Sequence, residues 1–438
     1  MSENQSPLKV ASLGLQHVLA MYAGAIVIPL IVGGAMGLNS TQLTYLVSID
    51  ILMCGIATLL QVVKMKYFGI GLPVVLGCTF TAVSPMIAIG TQYGMNSIYG
   101  AILVSGLIVV LISKFFGKLS RFFPPVVTGS VVTIIGITLI PVAINNLGGG
   151  QGAVDFGSLN NVALGFGTLL FIILMYKFST GFARSIAILL GLFFGTFVAF
   201  FMGKVEFSAV EGASWLHMPH FFYFGFPEFN ITAIITMTLV AVVSLVESTG
   251  VYYALGEITD KEISEDDLAR GYRSEGLASI IGGLFNAFPY TAFSQNVGLI
   301  QLSGIKTRNV IYVAASMLIL IGFVPKIGAF TTIIPPSVLG GAMVAMFGMV
   351  IAAGIKMLSR VDFSSQENLL IIACSVGMGI GVTVVPEVFA NIPGGIQILT
   401  ENGIVAGSLT AIFLNIIFNV IPTKGRVKKV RIEGQKVA

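Results

Sequence analysis

The chain has 438 residues, of which 55% are hydrophobic and only 10% charged, with a formal net charge of +4 and a mean hydropathy of +0.96. A soluble domain carries about 25% charged residues, so this chain cannot cover a water-facing surface, and the soluble classes are excluded. Its small positive excess is dispersed between apolar blocks and does not mark a nucleic-acid surface.

Taken in chain order, the N-terminus MSENQSPLKV lacks a compact basic region followed by a short apolar core and a small-residue cleavage site. The first apolar block, 11–34, is therefore read as a retained span. It carries Gln16 and His17, and His17 is the only one of the three histidines inside an apolar block. A lone buried histidine is more often structural than ligand-binding. Further blocks follow at 42–63, 69–92, 98–113, 122–143, 162–177 and 184–202, then a longer polar loop containing GKVEFSAVEGASWLHMPH. Seven more lie at 230–255, 270–288, 289–305, 309–324, 332–355, 367–385 and 403–421, giving fourteen segments. Spans of roughly 20 apolar residues are what a bilayer requires. Several divisions, notably 270–288 from 289–305, rest on Pro/Gly punctuation and not on charge. Cys54, Cys78 and Cys374 lie singly in apolar stretches, which reads as packed small hydrophobes and neither a disulfide framework nor a metal site.

Basic residues collect on the cytoplasmic side of membrane proteins. With a cytoplasmic N-terminus and fourteen crossings, 21 of the 23 Lys and Arg residues fall inside, including the tail from Lys424 to Lys436; only Lys204 and Lys326 fall outside. Miscounting one early span would scatter this bias. Both termini are expected to be cytoplasmic.

The two halves echo each other. FPPVVTGSVVTIIGITLIP at 123–141 resembles IPPSVLGGAMVAMFGMVIA at 334–352, including the pairs Pro124-Pro125 and Pro335-Pro336. GLPVVLGCTFTAVSP at 71–85 has a looser counterpart in NAFPYTAFSQNVG at 286–298. Repeats of seven spans have an odd count, so the second half enters from the opposite side, the inverted topology of secondary transporters.

The third and tenth segments are poor continuous helices: one is dense in Gly, Pro and β-favouring residues, the other carries Pro289 and the polar pair Gln295-Asn296. Non-helical backbone at membrane depth survives only where protein or a water-filled cavity satisfies it. Interrupted segments at corresponding places in two halves point to a binding site near the midplane; the alternative is a pair of Pro-kinked packing helices. Glu247 lies deep in TLVAVVSLVESTGVYYAL. An ionised carboxylate there costs about 2.5–3.5 kcal/mol on the lenient insertion scale, so it must face a cavity or a partner. Asp50 and Glu275 are helix-end or inter-helix candidates. No metal-ligand cluster, P-loop or nucleophile–base arrangement is present, which leaves no basis for ATP-driven transport or a membrane enzyme. Gln and Asn side chains each offer a donor and an acceptor, suited to the edge of a planar amide-containing ring.

The run Gln295-Asn296-Val297-Gly298-Leu299-Ile300-Gln301-Leu302-Ser303-Gly304 resembles the signature of the nucleobase–ascorbate transporter family, with Ser303 in place of the usual Thr. Gln16-His17 is similar to the family's first-span Gln-His pair, and Glu247-Ser248-Thr249-Gly250 to its eighth-span carboxylate motif. The resemblance covers essentially the whole chain. It implies an all-α polytopic membrane protein, fourteen segments in a 7+7 inverted repeat, with short strands in the broken third and tenth segments. It also implies a core domain (1–121 and 230–330) and a gate domain (122–229, and 331–438 with the basic tail). Substrate would lie between them. Glu247 would hydrogen-bond the base ring and carry the coupling proton, Gln295 would bind the other polar edge, Phe80 would give a backbone or stacking contact, and Asn296 would shape the site. Gln16, His17, Glu275 and Gly298 would support it. Val251 falls where several purine carriers have an Asp, which leaves Glu247 as the main coupling carboxylate. The expected activity is proton-coupled uptake of a purine, xanthine first and urate or another oxopurine second, across the cytoplasmic membrane. No cofactor beyond the proton is expected, and the partners are the purine, membrane lipid and a second copy in a homodimer. An anion exchanger or channel on the same fold is the competing class; it would not need Glu247 beside Gln295.

Overall fold

The computed structural model describes residues 6–119, 123–389, 391 and 402–421. Arg121 and the basic tail fall outside the described residues, so the orientation read from them is not addressed by the fold.

The first half runs α1 (Pro7–Ala35), α2 (Ser40–Val62), β1 (Leu76–Cys78), a 3-10 turn (Phe80–Ala82), α3 (Val83–Tyr93), α4 (Met95–Leu119), α5 (Pro125–Leu147), α6 (Leu159–Phe178), α7 (Gly181–Ser185) and α8 (Ala187–Phe201). A loop holding α9 (Ser208–Gly212) leads to the second half. That half runs α10 (Ile231–Ile258), α11 (Glu265–Leu284), β2 (Tyr290–Ala292), α12 (Ser294–Ser303), α13 (Arg308–Gly322), α14 (Pro325–Thr332), α15 (Pro336–Leu358), α16 (Gln366–Val384) and α17 (Gly403–Asn415).

Among the described residues, nine helices are long and apolar enough to cross a membrane, and a tenth arises if α13 and α14, bent by 79°, count as one span. The nine coincide with nine of the fourteen expected blocks. The others fall outside that count for visible reasons. Segments 69–92 and 289–305 break into a strand and a short helix, α8 has 15 residues, and α11 opens with Glu265, Asp266 and Asp267 under a Ser264–Asp267 capping box. The separate helix α14 was not foreseen; Pro325 starts it at the bend.

The Pro-Pro pairs act alike. Pro124 and Pro335 are N-caps, Pro125 and Pro336 are first helical residues, and both helices run 23 residues. Proline suits that position because its missing N–H would be unpaired anyway. α5 and α15 then pack along each other, α4 packs on α11, and α13 packs on α2. The α4–α11 crossing is a backbone contact. A Cβ built on Gly276 would lie 2.7 Å from the Gly106 carbonyl oxygen, and one on Gly106 would lie 2.8 Å from that of Gly276. Close approach of this kind is what small residues permit between membrane helices. Outward from the packed helices, α6 and α8 expose Phe166, Leu170, Phe193, Phe197 and Phe201, an apolar face suited to lipid.

β1 and β2 pair antiparallel, with Gly77 opposite Thr291. Three residues each cannot satisfy their own backbone, and helices complete the hydrogen bonding. Leu76 N–H donates to Thr58 Oγ1 of α2 at 3.0 Å, and Ala292 N–H donates to Ser248 Oγ of α10 at 3.0 Å. Phe288 N–H, just before β2, donates to Asp50 Oδ1 of α2 at 2.8 Å. Buried backbone N–H groups need partners, and at membrane depth protein must supply them. Asp50 thereby ties α2 to the chain that leads into β2.

Candidate functional site at the strand crossing

Two half-helices leave the strand pair. After β1 the chain turns through Phe80–Ala82 into α3; after β2 it enters α12, whose first turn carries Ser294, Gln295 and Asn296. α12 stops after ten residues because Gly304 adopts a left-handed φ of 67°, a conformation glycine reaches without steric cost. The free N–H groups of a half-helix N-terminus make a site for electron-rich ligand atoms.

One face of α10 docks onto this crossing through hydroxyls. Ser244 Oγ lies 3.1 Å from Thr79 Oγ1, Thr81 Oγ1 donates to Glu247 Oε2 at 3.5 Å, and Ser248 Oγ lies 3.0 Å from Thr291 Oγ1. Ser244 and Ser248 are one helical turn apart and bracket Glu247 (i, i+4), so all three face the strands. Glu247 is half-buried and the Thr81 contact at 3.5 Å is a weak one, which leaves its carboxyl free to engage a ligand.

The expected site residues fall into three groups. Asn296 and His17 are brought together: Asn296 Nδ2 donates to the His17 carbonyl at 3.0 Å and lies 3.0 Å from His17 Nδ1, tying α12 to α1. Both are buried, at 1% and 4% exposure, so this pair is internal structure behind the site. Gln295 is exposed and Gln16 half-buried, and neither side chain has a hydrogen bond among the described residues. Phe80 is half-buried and meets Phe347 of α15 edge-on, with centroids 5.8 Å apart. Gly298 faces open space, since a Cβ there would meet nothing within 4 Å. Glu275 sits apart from the signature, buried in α11, where it accepts from Tyr252 Oη; that hydroxyl also meets Gln61 Nε2 of α2.

Sequence reading missed Thr58, Phe347 and the hydroxyl set Thr79, Thr81, Ser244, Ser248 and Thr291. The Ser244/Ser248 spacing around Glu247 was a usable signal. Thr58 and Phe347 gave none: Thr58 pairs with a backbone N–H of a following strand, and the ring partner of Phe347 lies in the other half of the chain. Among the described residues, no group of three or more His, Cys, Asp or Glu could hold a metal.

The sequence model of the Permease family matches residues 8–388. Two relatives from Bacillus subtilis (strain 168) extend this: "Xanthine permease", 65% identical over 96% of this chain and 96% of its own length, and "Uric acid permease PucK", 64% identical over 95% and 97%. The chain belongs to the nucleobase–ascorbate transporter family. It is accordingly an integral multi-pass membrane protein, a transporter and not an enzyme. A third family relative, "Nucleobase transporter PlUacP" of Paenibacillus larvae, is 65% identical over 94% of this chain and 95% of its own. Among solved structures, the transmembrane domain of a cyanobacterium bicarbonate transporter, BicA, superposes with a TM-score of 0.60 over 89% of this chain and 99% of its own, at 16% identity. Murine Slc26a9, an anion transporter, gives 0.58 over 95% and 69%, at 10% identity. At these identities the likeness shows the fold alone.

Proposed function

We propose that this permease takes up a purine nucleobase, xanthine first, in symport with a proton and by alternating access. The observation that carries this reading is the exit of two half-helices from one strand crossing. It presents accessible Gln295 and half-buried Glu247 on neighbouring elements. An amide and a carboxyl offer the donors and acceptors that a planar oxopurine edge pairs with. Phe80, held edge-on by Phe347, supplies a ring face beside them. Asn296 and His17 position the start of α12, with Gln16, Glu275 and Gly298 in support.

In this reading the fourteen segments form a 7+7 inverted repeat in the cytoplasmic membrane with both termini inside. The echo of α5 by α15 and the pairing of β1 with β2 support it. Segments 1–4 and 8–11 are the core domain, the others the gate, and the Phe80–Phe347 contact bridges the two. The protein works as a homodimer, with the proton as its only coupling agent.

Glu247 carries the proton. A protonated carboxyl donates to a ring acceptor and an ionised one does not, so proton and purine binding reinforce each other reciprocally. One charge crossing about 100 mV gains about 2.3 kcal/mol, enough for roughly fifty-fold accumulation of a neutral solute. The test is purine uptake into proteoliposomes under an imposed proton gradient. Glu247→Gln keeps shape and a donor but cannot titrate, so it should bind purine and fail to concentrate it. Accumulation at the parent's level would move the proton to another group. A second reading makes urate the main substrate, favoured by the 64% identical uric acid permease. A competition panel of xanthine, urate, hypoxanthine, guanine and uracil separates the two.

A further inference from the structure

The chain between α8 and α10 reads as a polar loop, but its charges gather at its start, on Lys204, Glu206 and Glu211. From Ala213 to Ile231 the only Asp, Glu, Lys or Arg is Glu228. Along this strap six large apolar side chains, Trp215, Leu216, Met218, Phe221, Phe226 and Phe229, are between 62% and 80% exposed. Single apolar side chains scattered over a surface are ordinary. A run of them marks a surface that something apolar covers.

The strap is fastened where helices begin or end. His217 N–H donates to the Phe323 carbonyl at 3.2 Å, and its ring Nε2 lies 3.2 Å from the carbonyl of Gly322, the last residue of α13. Phe222 N–H donates to the carbonyl of Leu284, the last residue of α11, at 3.0 Å. Glu228 N–H donates to that of Asn96, at the start of α4, at 3.1 Å. Spans leave the bilayer at their ends, so the strap lies at that boundary and not at mid-depth. α14 lies there as well. It turns 79° away from α13, which packs on the full span α2, and so runs nearly along the membrane plane. Its inner side presses on α2, since a Cβ on Gly328 would collide with Ser48 Oγ, and its outer side exposes Phe330. Lys326 of α14 places Nζ 5.0 Å from the Trp215 ring centroid, within cation–π range. No carboxylate pairs with Lys326 among the described residues.

We propose that the strap and α14 form a ledge seated in the phospholipid interface, with the Trp215 indole at the boundary between headgroups and acyl chains and the Lys326 ammonium on a lipid phosphate. The apolar surface is continuous with the lipid-facing side of the molecule. Phe201 at the end of α8 and Ile231 at the start of α10, between which the strap runs, are 71% and 75% exposed. An indole favours that depth because its ring is apolar and its N–H polar. A lysine stem covers apolar surface while its charge reaches the headgroups.

Trp215 is the only tryptophan in the chain, so its emission reports on the ledge without any substitution. The full chain is placed in nanodiscs of phosphatidylcholine and phosphatidylglycerol whose acyl chains carry bromine either near the headgroup end or near the bilayer centre. The expected result is blue-shifted emission, quenched strongly by the headgroup-end bromines and several-fold less by the deep ones. Emission like that of indole in water, with no quenching by either lipid, overturns the proposal. So does stronger quenching by the deep bromines, which would put the strap at the wrong depth. Shielding from both bromine and aqueous iodide overturns it as well, because protein such as a second copy would then cover this face. Lys326→Gln removes the charge and keeps much of the stem, so headgroup-end quenching should fall and its dependence on phosphatidylglycerol should disappear. Equal quenching in the parent and Lys326→Gln would overturn the phosphate contact. The optical result does not depend on which solute is carried, so its failure is distinct from failure of the purine reading.

Discussion

Asn296 holds both the backbone and the ring of His17, at 3.0 Å in each case. With one amide hydrogen on the carbonyl and the other on the ring, Nδ1 acts as acceptor and the ring proton sits on Nε2. The signature Asn and the first-span His are thus one structural unit joining α12 to α1.

That unit predicts non-additivity. Asn296→Ala leaves the buried ring nitrogen of His17 without its donor, at about 1–3 kcal/mol. Purine affinity should fall between roughly five-fold and a hundred-fold as the start of α12 loosens. His17→Ala should cause a similar loss, and the double variant little more, giving a coupling energy of about 0.5–3 kcal/mol. Uptake KM for the four proteins measures it. Fully additive losses would mean that the two residues act separately.

Gln295 calls for a different outcome. Its side chain is exposed and makes no bond among the described residues, so replacing it should leave folding unchanged. Gln295→Glu turns an amide donor into an acceptor-only carboxylate at neutral pH. Losing one matched bond in a desolvated site costs on the order of 1–3 kcal/mol. Xanthine affinity should fall accordingly and the competition profile should change. An unchanged affinity and profile at normal expression would remove Gln295 from the site.

The α4–α11 crossing predicts a stability effect separate from transport chemistry. Gly276→Val would set a branched side chain where even a Cβ comes within 2.7 Å of the Gly106 carbonyl. Overpacking typically costs about 1–3 kcal/mol, and here backbone must move. The melting temperature of the detergent-solubilised protein should drop clearly. Gly298→Ala, with nothing within 4 Å of its new methyl, should melt like the parent. A normal melting temperature for Gly276→Val would show that the two helices separate without cost.

Much of this architecture was legible because hydropathy and punctuation are local. Nine apolar blocks map onto nine long helices, and the Pro-Pro pairs start α5 and α15 as a missing N–H dictates. The Gly/Pro density of 71–85 and the Pro289 break marked the places where helix gives way to strand. The signature run around Gln295 and the carboxylate Glu247 lie on α12 and α10, two elements that pack together beside the strand crossing.

Tertiary structure decided which of those residues touch. Sequence could not show that Asp50 would hold the Phe288 N–H, or that Thr58 would hold that of Leu76. Nor could it separate exposed Gln295 from its neighbour Asn296, buried against His17. Successive side chains on a helix point about 100° apart, so adjacent residues meet different surroundings. Hydrogen-bond partners 200 and more residues apart, such as Asp50 and Phe288, leave no periodic trace. Composition placed the chain in a membrane, but the pairing of two broken spans, completed by side chains from intact ones, exists only once the helices have packed.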